Sequence, residues 1–250
     1  HIPGAVFIDV MEADHTDLYP RNIPSIEVFE RKVQEVGIGN DSHVIVYSDT
    51  DNAGYFMSGR GWWNFKIFGH DKVSILDGGL QKWKSLGYHS TADIPSVQKG
   101  LFKAKWNPKY YRTLEDVKKN INSNEFLVCD SRPSTSYLEQ ESLSFLTTFY
   151  YPFIISAGHM QGAVNVPFGN LVNKETLTLK SREQLLQEMK ASGMDLSKPV
   201  VTHCNGGMSS CTLAFVAELC GNPDVAVYHV CRPLDTFMML SQRCAASKLR

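Results

Sequence analysis

The 250-residue sequence contains no apolar run approaching the roughly 20 residues that span a bilayer. Its opening stretch, HIPGAVFIDVMEADH, lacks both the basic start and the small-residue cleavage site of a secretory signal. A soluble cytoplasmic protein is therefore expected, with a mitochondrial location as the alternative. An excess of charge of one sign is also missing: 25 Lys and Arg stand against 26 Asp and Glu, a net charge of -1. That balance argues against a polybasic nucleic-acid module, and 43% hydrophobic residues argue against a disordered chain. Cysteine is sparse and one-sided. Cys129, Cys204, Cys211, Cys220, Cys231 and Cys244 all lie in the second half, with no C-x-x-C spacing, so reduced thiols are expected and no metal site or cofactor. No G-x-G-x-x-G and no Gly-Lys-Ser/Thr loop follows a strand, which disfavours nucleotide enzymes.

What the chain does contain is a repeat. His1-Ile2-Pro3-Gly4-Ala5-Val6 returns as His159-Met160-Gln161-Gly162-Ala163-Val164, an offset of 158. The β-rich run His43 to Ser48 ends 47 residues beyond the first copy's start, and Val200 to Cys204 ends 45 residues beyond the second. Two signals in the same order at similar spacing favour duplication. Each strand leads into a Gly-containing turn, a helical pattern (Trp62 to Phe68, Thr212 to Leu219) and a further strand (Val73 to Leu76, Val225 to Tyr228). Short Val/Ile strands alternating with helices predict an α/β fold with parallel sheets covered on both faces. The polar stretch Ser90 to Pro108, with Pro95 and Gly100, reads as a linker. The second unit opens with a helix near Leu114 to Ile121 and the strand Phe126 to Asp130. No equivalent opening strand precedes His43, so the first unit is expected to be truncated.

Cys204 stands apart from the other thiols. It closes a strand and precedes Asn205-Gly206-Gly207-Met208-Ser209-Ser210, with a helix expected from near Cys211. A Gly-rich turn before a helix N-terminus can aim backbone N–H groups inward and favour a thiolate, an oxyanion or a persulfide. The other reading from context is a small buried residue at a strand end. Cys129, Cys211 and Cys220 sit in apolar patterns and read as core thiols; Cys231 follows the last strand. Trp62, Trp63, Phe65 and Phe68 read as helix packing. Position six after Cys204 is Ser210 rather than the arginine that a Cys-x5-Arg phosphatase requires.

With these residues in place, the sequence resembles the two-domain rhodanese-type sulfurtransferases, looking closest to the 3-mercaptopyruvate sulfurtransferase branch. His1 to Ala5 and Gly158 to Ala163 are similar to the family's GHIPGA signature; Arg60-Gly61-Trp62-Trp63, Phe68-Gly69-His70 and Leu76 to Trp83 resemble its first-domain segments. The resemblance implies two rhodanese-like α/β domains: a partial N-terminal one at 1–95 without a reactive cysteine, a linker at 96–110, and a C-terminal one at 111–250 carrying the Cys204 loop. Ser48 then holds the place that Cys204 fills in the second domain. By the same resemblance, Cys204 is the nucleophile, receiving a sulfane sulfur from 3-mercaptopyruvate or thiosulfate as a persulfide. The sulfur then passes to cyanide or to a thiol such as thioredoxin. Asn205, Gly206, Gly207, Met208, Ser209 and Ser210 form the persulfide or oxyanion loop. His1 is placed near the cleft, with a turn-capping role as its alternative; His159 is placed in a structural role. The implied partner is a small anionic sulfur donor, with no nucleic acid or membrane.

The chain departs from that family at several positions. Gly206 stands where the mercaptopyruvate branch carries serine, and Ser136 where it carries a substrate-clamping arginine. Glu139 to Ala157 contains no basic residue, nor does Asn205 to Ser209. Tyr228-His229-Val230-Cys231-Arg232 replaces Tyr-Asp-Gly-Ser-Trp. Arg132 of Asp130-Ser131-Arg132 is assigned a structural salt bridge. A catalytically weakened or inactive binding or regulatory protein is the rival expectation.

Overall fold

The computed structural model describes residues 1–13, 22–50, 54–138 and 158–229. The first unit contains helix α1 (Ile26–Glu35), strand β1 (Val44–Val46), helix α2 (Tyr55–Ile67), strand β2 (Val73–Ile75) and helix α3 (Gly79–Ser85). Ser25 caps α1 by accepting from Val28 N, and Phe29 and Val33, one turn apart, turn inward. β1 and β2 pair in parallel across the α2 crossover.

The second unit runs through β3 (Tyr111–Arg112), α4 (Leu114–Ser123), β4 (Leu127–Asp130), α5 (Ser134–Tyr137) and β5 (Val164–Asn165). A hairpin follows, made of β6 (Val172–Asn173) and β7 (Thr178–Leu179). The chain continues through α6 (Arg182–Ala191), β8 (Val200–His203), α7 (Ser209–Leu219) and β9 (Val225–Tyr228). Strands β3-β9-β8-β4-β5 form one parallel sheet in that order. β8 and β9 are buried along their whole length, as expected of central strands with helices on both faces. Helix α4 begins with a Thr113–Asp116 capping box and α6 with a Ser181–Gln184 one.

The sequence repeat is a structural repeat. Gly4 and Gly162 each adopt a left-handed φ of 77°, and the same turn closes in both copies, Ala5 N donating to Ile2 O and Ala163 N to Met160 O, each at 3.0 Å. The strand–helix–strand units β1-α2-β2 and β8-α7-β9 correspond. Both sheets are parallel with flanking helices, giving two rhodanese-like α/β domains.

Helices α2 and α7 pack side by side. Thr212 Oγ1 donates to Tyr55 O at 2.7 Å, Trp62 meets Phe215 edge to face at 5.4 Å, and Lys66 pairs with Glu218 at 3.0 Å. The contacts follow the same order along both helices, so the helices point the same way and their N-termini lie together. Gly59 permits the approach: a Cβ there would run into the backbone of Thr212. Trp62, Trp63, Phe65 and Phe68 are buried in the main core, the packing role their spacing suggested.

The stretch read as a linker is more firmly held than its composition implied. Gly100 N donates to Gln34 O, Lys105 N to Phe68 O and Asn107 N to Ile67 O. Phe102 is buried against Phe29 and Phe65. Trp106 meets Phe68 and Tyr111 edge to face, so two aromatic side chains and several backbone bonds anchor a run whose average composition is polar. Among the described residues, no helix is long and apolar enough to cross a membrane.

Candidate active site

Cys204 follows the last residue of β8 and lies at the start of a four-residue turn, 205–208, that leads into α7. The helix begins at Ser209, two residues ahead of the position expected from the sequence. Thr202 Oγ1 donates to Ser210 O at 2.8 Å, tying the first helical turn to the strand.

The turn aims donors at the sulfur. Met208 N donates to Cys204 Sγ at 3.3 Å, and Ser210 Oγ lies 3.3 Å from it. Burial opposes ionisation of Cys204, yet hydrogen bonds from the Ser210 side chain and backbone, the Ser209 hydroxyl and the Gly206 backbone outweigh it. The thiol is held below its usual pKa. The other described cysteines behave oppositely. Burial pushes Cys129, Cys211 and Cys220 up, with the Asp130 carboxylate adding to the effect at Cys129. Cys231 and Cys244 lie outside the described residues, as does the aromatic stretch Phe145 to Phe153.

Ser209 does not cap the helix; Met208 occupies the cap position without a side-chain bond. The Ser209 hydroxyl is paired with Ser131 Oγ at 2.8 Å, and Ser131 Oγ donates to His203 O at 3.1 Å. Asn205 Oδ1 accepts from Arg132 Nη1 at 3.3 Å. Arg132 is otherwise engaged as its sequence context implied, with Nε donating to both Asp130 carboxylate oxygens at 3.0 Å and Nη2 to Gly158 O at 2.5 Å. Burial would raise the Asp130 pKa, but the neighbouring His203 and Arg132 hold the carboxyl well below the usual range. The loop thus rests on a buried ionic cluster formed at the ends of β4 and β8.

Gly207 has a left-handed φ of 66°, and a Cβ at that position would overlap the His229 ring and crowd Arg60 Nη1. Arg60, fully buried on α2 of the first domain, reaches the loop with Nη1 3.4 Å from Gly207 O and 2.5 Å from His229 Nε2. His229 stacks on Trp63 at 5.5 Å. Neither Arg60 nor His229 was a candidate from the sequence. The available signal was the repeat itself, which makes α2 the counterpart of the helix beside Cys204.

The His1 amino group donates to Thr91 O at 2.8 Å, and its Nδ1 lies 2.9 Å from Ile2 O. His159 stacks on Tyr137 at 3.9 Å, consistent with a packing role. Ser136, in the place of the expected arginine, is buried, and its carbonyl accepts from Gly158 N at 3.0 Å. Among the described residues, no group of His, Cys, Asp and Glu is arranged to hold a metal ion.

A buried thiol at a strand end, cradled by the N–H groups of a short turn and a helix N-terminus on a duplicated α/β frame, defines the class. The sequence matches the Rhodanese-like domain family over residues 1–86 and 113–229, and the chain belongs to that family. It is a two-domain member of the rhodanese superfamily of sulfurtransferases, related to both the thiosulfate and the 3-mercaptopyruvate branches. It is 37% identical to the thiosulfate sulfurtransferase of Bos taurus over 233 residues, covering 91% of this chain and 74% of that protein. It is 36% identical to the 3-mercaptopyruvate sulfurtransferase of Homo sapiens over 231 residues, with the same coverage of 91% and 74%. These identities place it closer to neither branch. The structure of SseA from Escherichia coli, described as a 3-mercaptopyruvate sulfotransferase of the rhodanese fold, superposes with a TM-score of 0.77 at 30% identity, covering 91% of this chain and 81% of that one.

Proposed function

We propose that this protein is a sulfurtransferase in which Cys204 carries a sulfane sulfur as a persulfide. The observation behind this reading is the contrast among thiols: at Cys204, hydrogen-bond donors overcome burial, while burial prevails at Cys129, Cys211 and Cys220. A buried thiolate that costs free energy to maintain suits a nucleophile better than a packing group. In the proposed reaction the Cys204 thiolate attacks the outer sulfur of thiosulfate. The S–S bond breaks and sulfite leaves with the electron pair. With 3-mercaptopyruvate the C–S bond breaks instead, and pyruvate leaves as an enolate that takes up a proton. The terminal persulfide anion occupies the field of the turn N–H groups and the α7 N-terminus. An acceptor, cyanide or the thiolate of a partner such as thioredoxin, then attacks the outer sulfur, and the Cys204 thiolate departs. The domain division at 1–95, 96–110 and 111–250 belongs to the same proposal.

The rival reading is a binding or regulatory protein on a rhodanese frame. It is favoured by the closure over Cys204, which is 6% exposed, and by Gly206 and Ser136 standing where the 3-mercaptopyruvate branch carries serine and arginine. One experiment separates the two. The protein is incubated with thiosulfate or 3-mercaptopyruvate and its intact mass measured. The expected result is the gain of one sulfur atom, lost in Cys204→Ser and discharged by cyanide; absence of the adduct with both donors, when a control sulfurtransferase is loaded, favours the rival.

A further inference from the structure

The first domain has no cysteine at the Ser48 position, yet it sends a buried guanidinium into the second domain's loop. Arg60 is held rigidly. Its Nε donates to Asn64 Oδ1 at 3.0 Å, its Nη2 to Asn22 O at 3.0 Å, and its carbon centre lies 5.1 Å from the Trp63 ring centroid. The remaining arm, Nη1, faces Gly207 O and His229 Nε2, so that nitrogen of His229 acts as the acceptor.

The geometry gains meaning from the peptide unit involved. Gly207 C=O and Met208 N–H belong to one planar peptide group, and in a trans peptide the two point in opposite directions. On one side, Gly207 O is drawn toward Arg60 Nη1 at 3.4 Å and accepts from Cys211 Sγ at 3.0 Å. On the other, Met208 N–H points at Cys204 Sγ. A flip of this plane would turn ψ of Gly207, which glycine tolerates, together with φ of Met208, now −103°. A flip would aim a carbonyl oxygen at the sulfur and remove a donor from it.

We propose that Arg60 is a positioning residue for the Cys204 loop, anchoring the Gly207 carbonyl so that the Met208 N–H faces the reactive sulfur. The role rests on Cys204 being the sulfur-carrying nucleophile. Arg60 acts through the peptide plane, which its Nη1 meets at Gly207 O. Its charge also acts on Cys211, where it opposes the effect of burial, so its field extends across the turn. A hydrogen bond from a cation further polarises the peptide and strengthens its N–H as a donor.

The test measures Cys204 directly, without a sulfur donor. Iodoacetamide labelling of Cys204 is followed by peptide mass as a function of pH in the full chain, for wild type, Arg60→Met and Arg60→Lys. The Met variant is expected to shift the profile to higher pH and slow labelling at pH 7 by about fivefold or more, with Lys restoring part of the rate. A folded Arg60→Met protein with a wild-type labelling profile would overturn the proposal. Should that variant not fold, Asn64→Ala decides: it keeps the charge but releases Nε, and the expected slowing is about twofold. An unchanged profile there rejects the role. Sulfur loading from thiosulfate and from 3-mercaptopyruvate is measured in parallel. A wild-type protein that takes no sulfur from either donor defeats the proposed activity, while the labelling comparison still decides the role of Arg60 in the loop.

Discussion

The two strand-to-helix turns of the repeat start from the same plan and arrive at opposite polarity. At the end of β8, Cys204 Sγ receives an N–H from Met208 across the four-residue turn 205–208. After β1, Ser48 lies ahead of a longer segment, 49–54, that leads to α2, and Ser48 Oγ donates to Gly54 O at 2.8 Å. The Ser48 turn presents a carbonyl where the Cys204 turn presents a donor. A left-handed glycine lies shortly before each helix, Gly54 in one copy and Gly207 in the other. Duplication preserved the frame, while the two strand-end side chains meet opposite backbone groups. The first copy contributes instead through α2, by means of Arg60.

The contrast can be broken most severely at Gly207. Gly207→Ala places a methyl group where His229 and Arg60 converge, at a left-handed φ, and is expected to cost about 2–4 kcal/mol. Urea unfolding measures the loss, and a variant as stable as wild type would show that the turn repacks freely. A smaller effect is expected at Ser210→Ala. It removes one hydroxyl from the Cys204 sulfur, so labelling at neutral pH should slow by about three- to tenfold and the pH profile should move upward, with little change in stability. The sign follows from the folded thiol lying below its usual value: losing a donor to the thiolate raises it again. The smallest effect is expected at Ser48→Cys. Because that turn offers a carbonyl, the new thiol, placed in a Cys204→Ser background, should label only at the higher pH of an ordinary cysteine and should take no sulfur from thiosulfate by intact mass. Sulfur uptake at position 48 would mean that the strand-end position, rather than the turn, confers reactivity.

Much of this was legible in the chain. The paired His-x-x-Gly-Ala motifs identified two copies of one turn, and both form with the same glycine conformation because they encode a local backbone geometry. The strands, the crossover helices and the distinct setting of Cys204 were readable for the same reason. The anchoring of Phe102 was not, since its partners Phe29 and Phe65 lie far away in sequence. Nor was the supply of positive charge. The loop has no basic residue, yet Arg60 and Arg132 reach it from 147 and 73 positions away. Arg132 was expected to form the salt bridge that it does form with Asp130, and its further contact with Asn205 depended on β4 and β8 becoming neighbours.

The amino-acid sequence by itself determined the duplicated α/β plan, the asymmetry between Ser48 and Cys204, and the glycine-rich turn, because strand periodicity, helix starts and left-handed glycines are set by residues close together in the chain. Only the tertiary structure decided how that turn is oriented and stabilised. The side-by-side packing of α2 and α7, permitted by Gly59 against Thr212, brings Arg60 to the Gly207 carbonyl, and the β4–β8 pairing brings Arg132 to Asn205. The direction in which a peptide dipole faces the sulfur is a property of those long-range contacts, which no local pattern encodes.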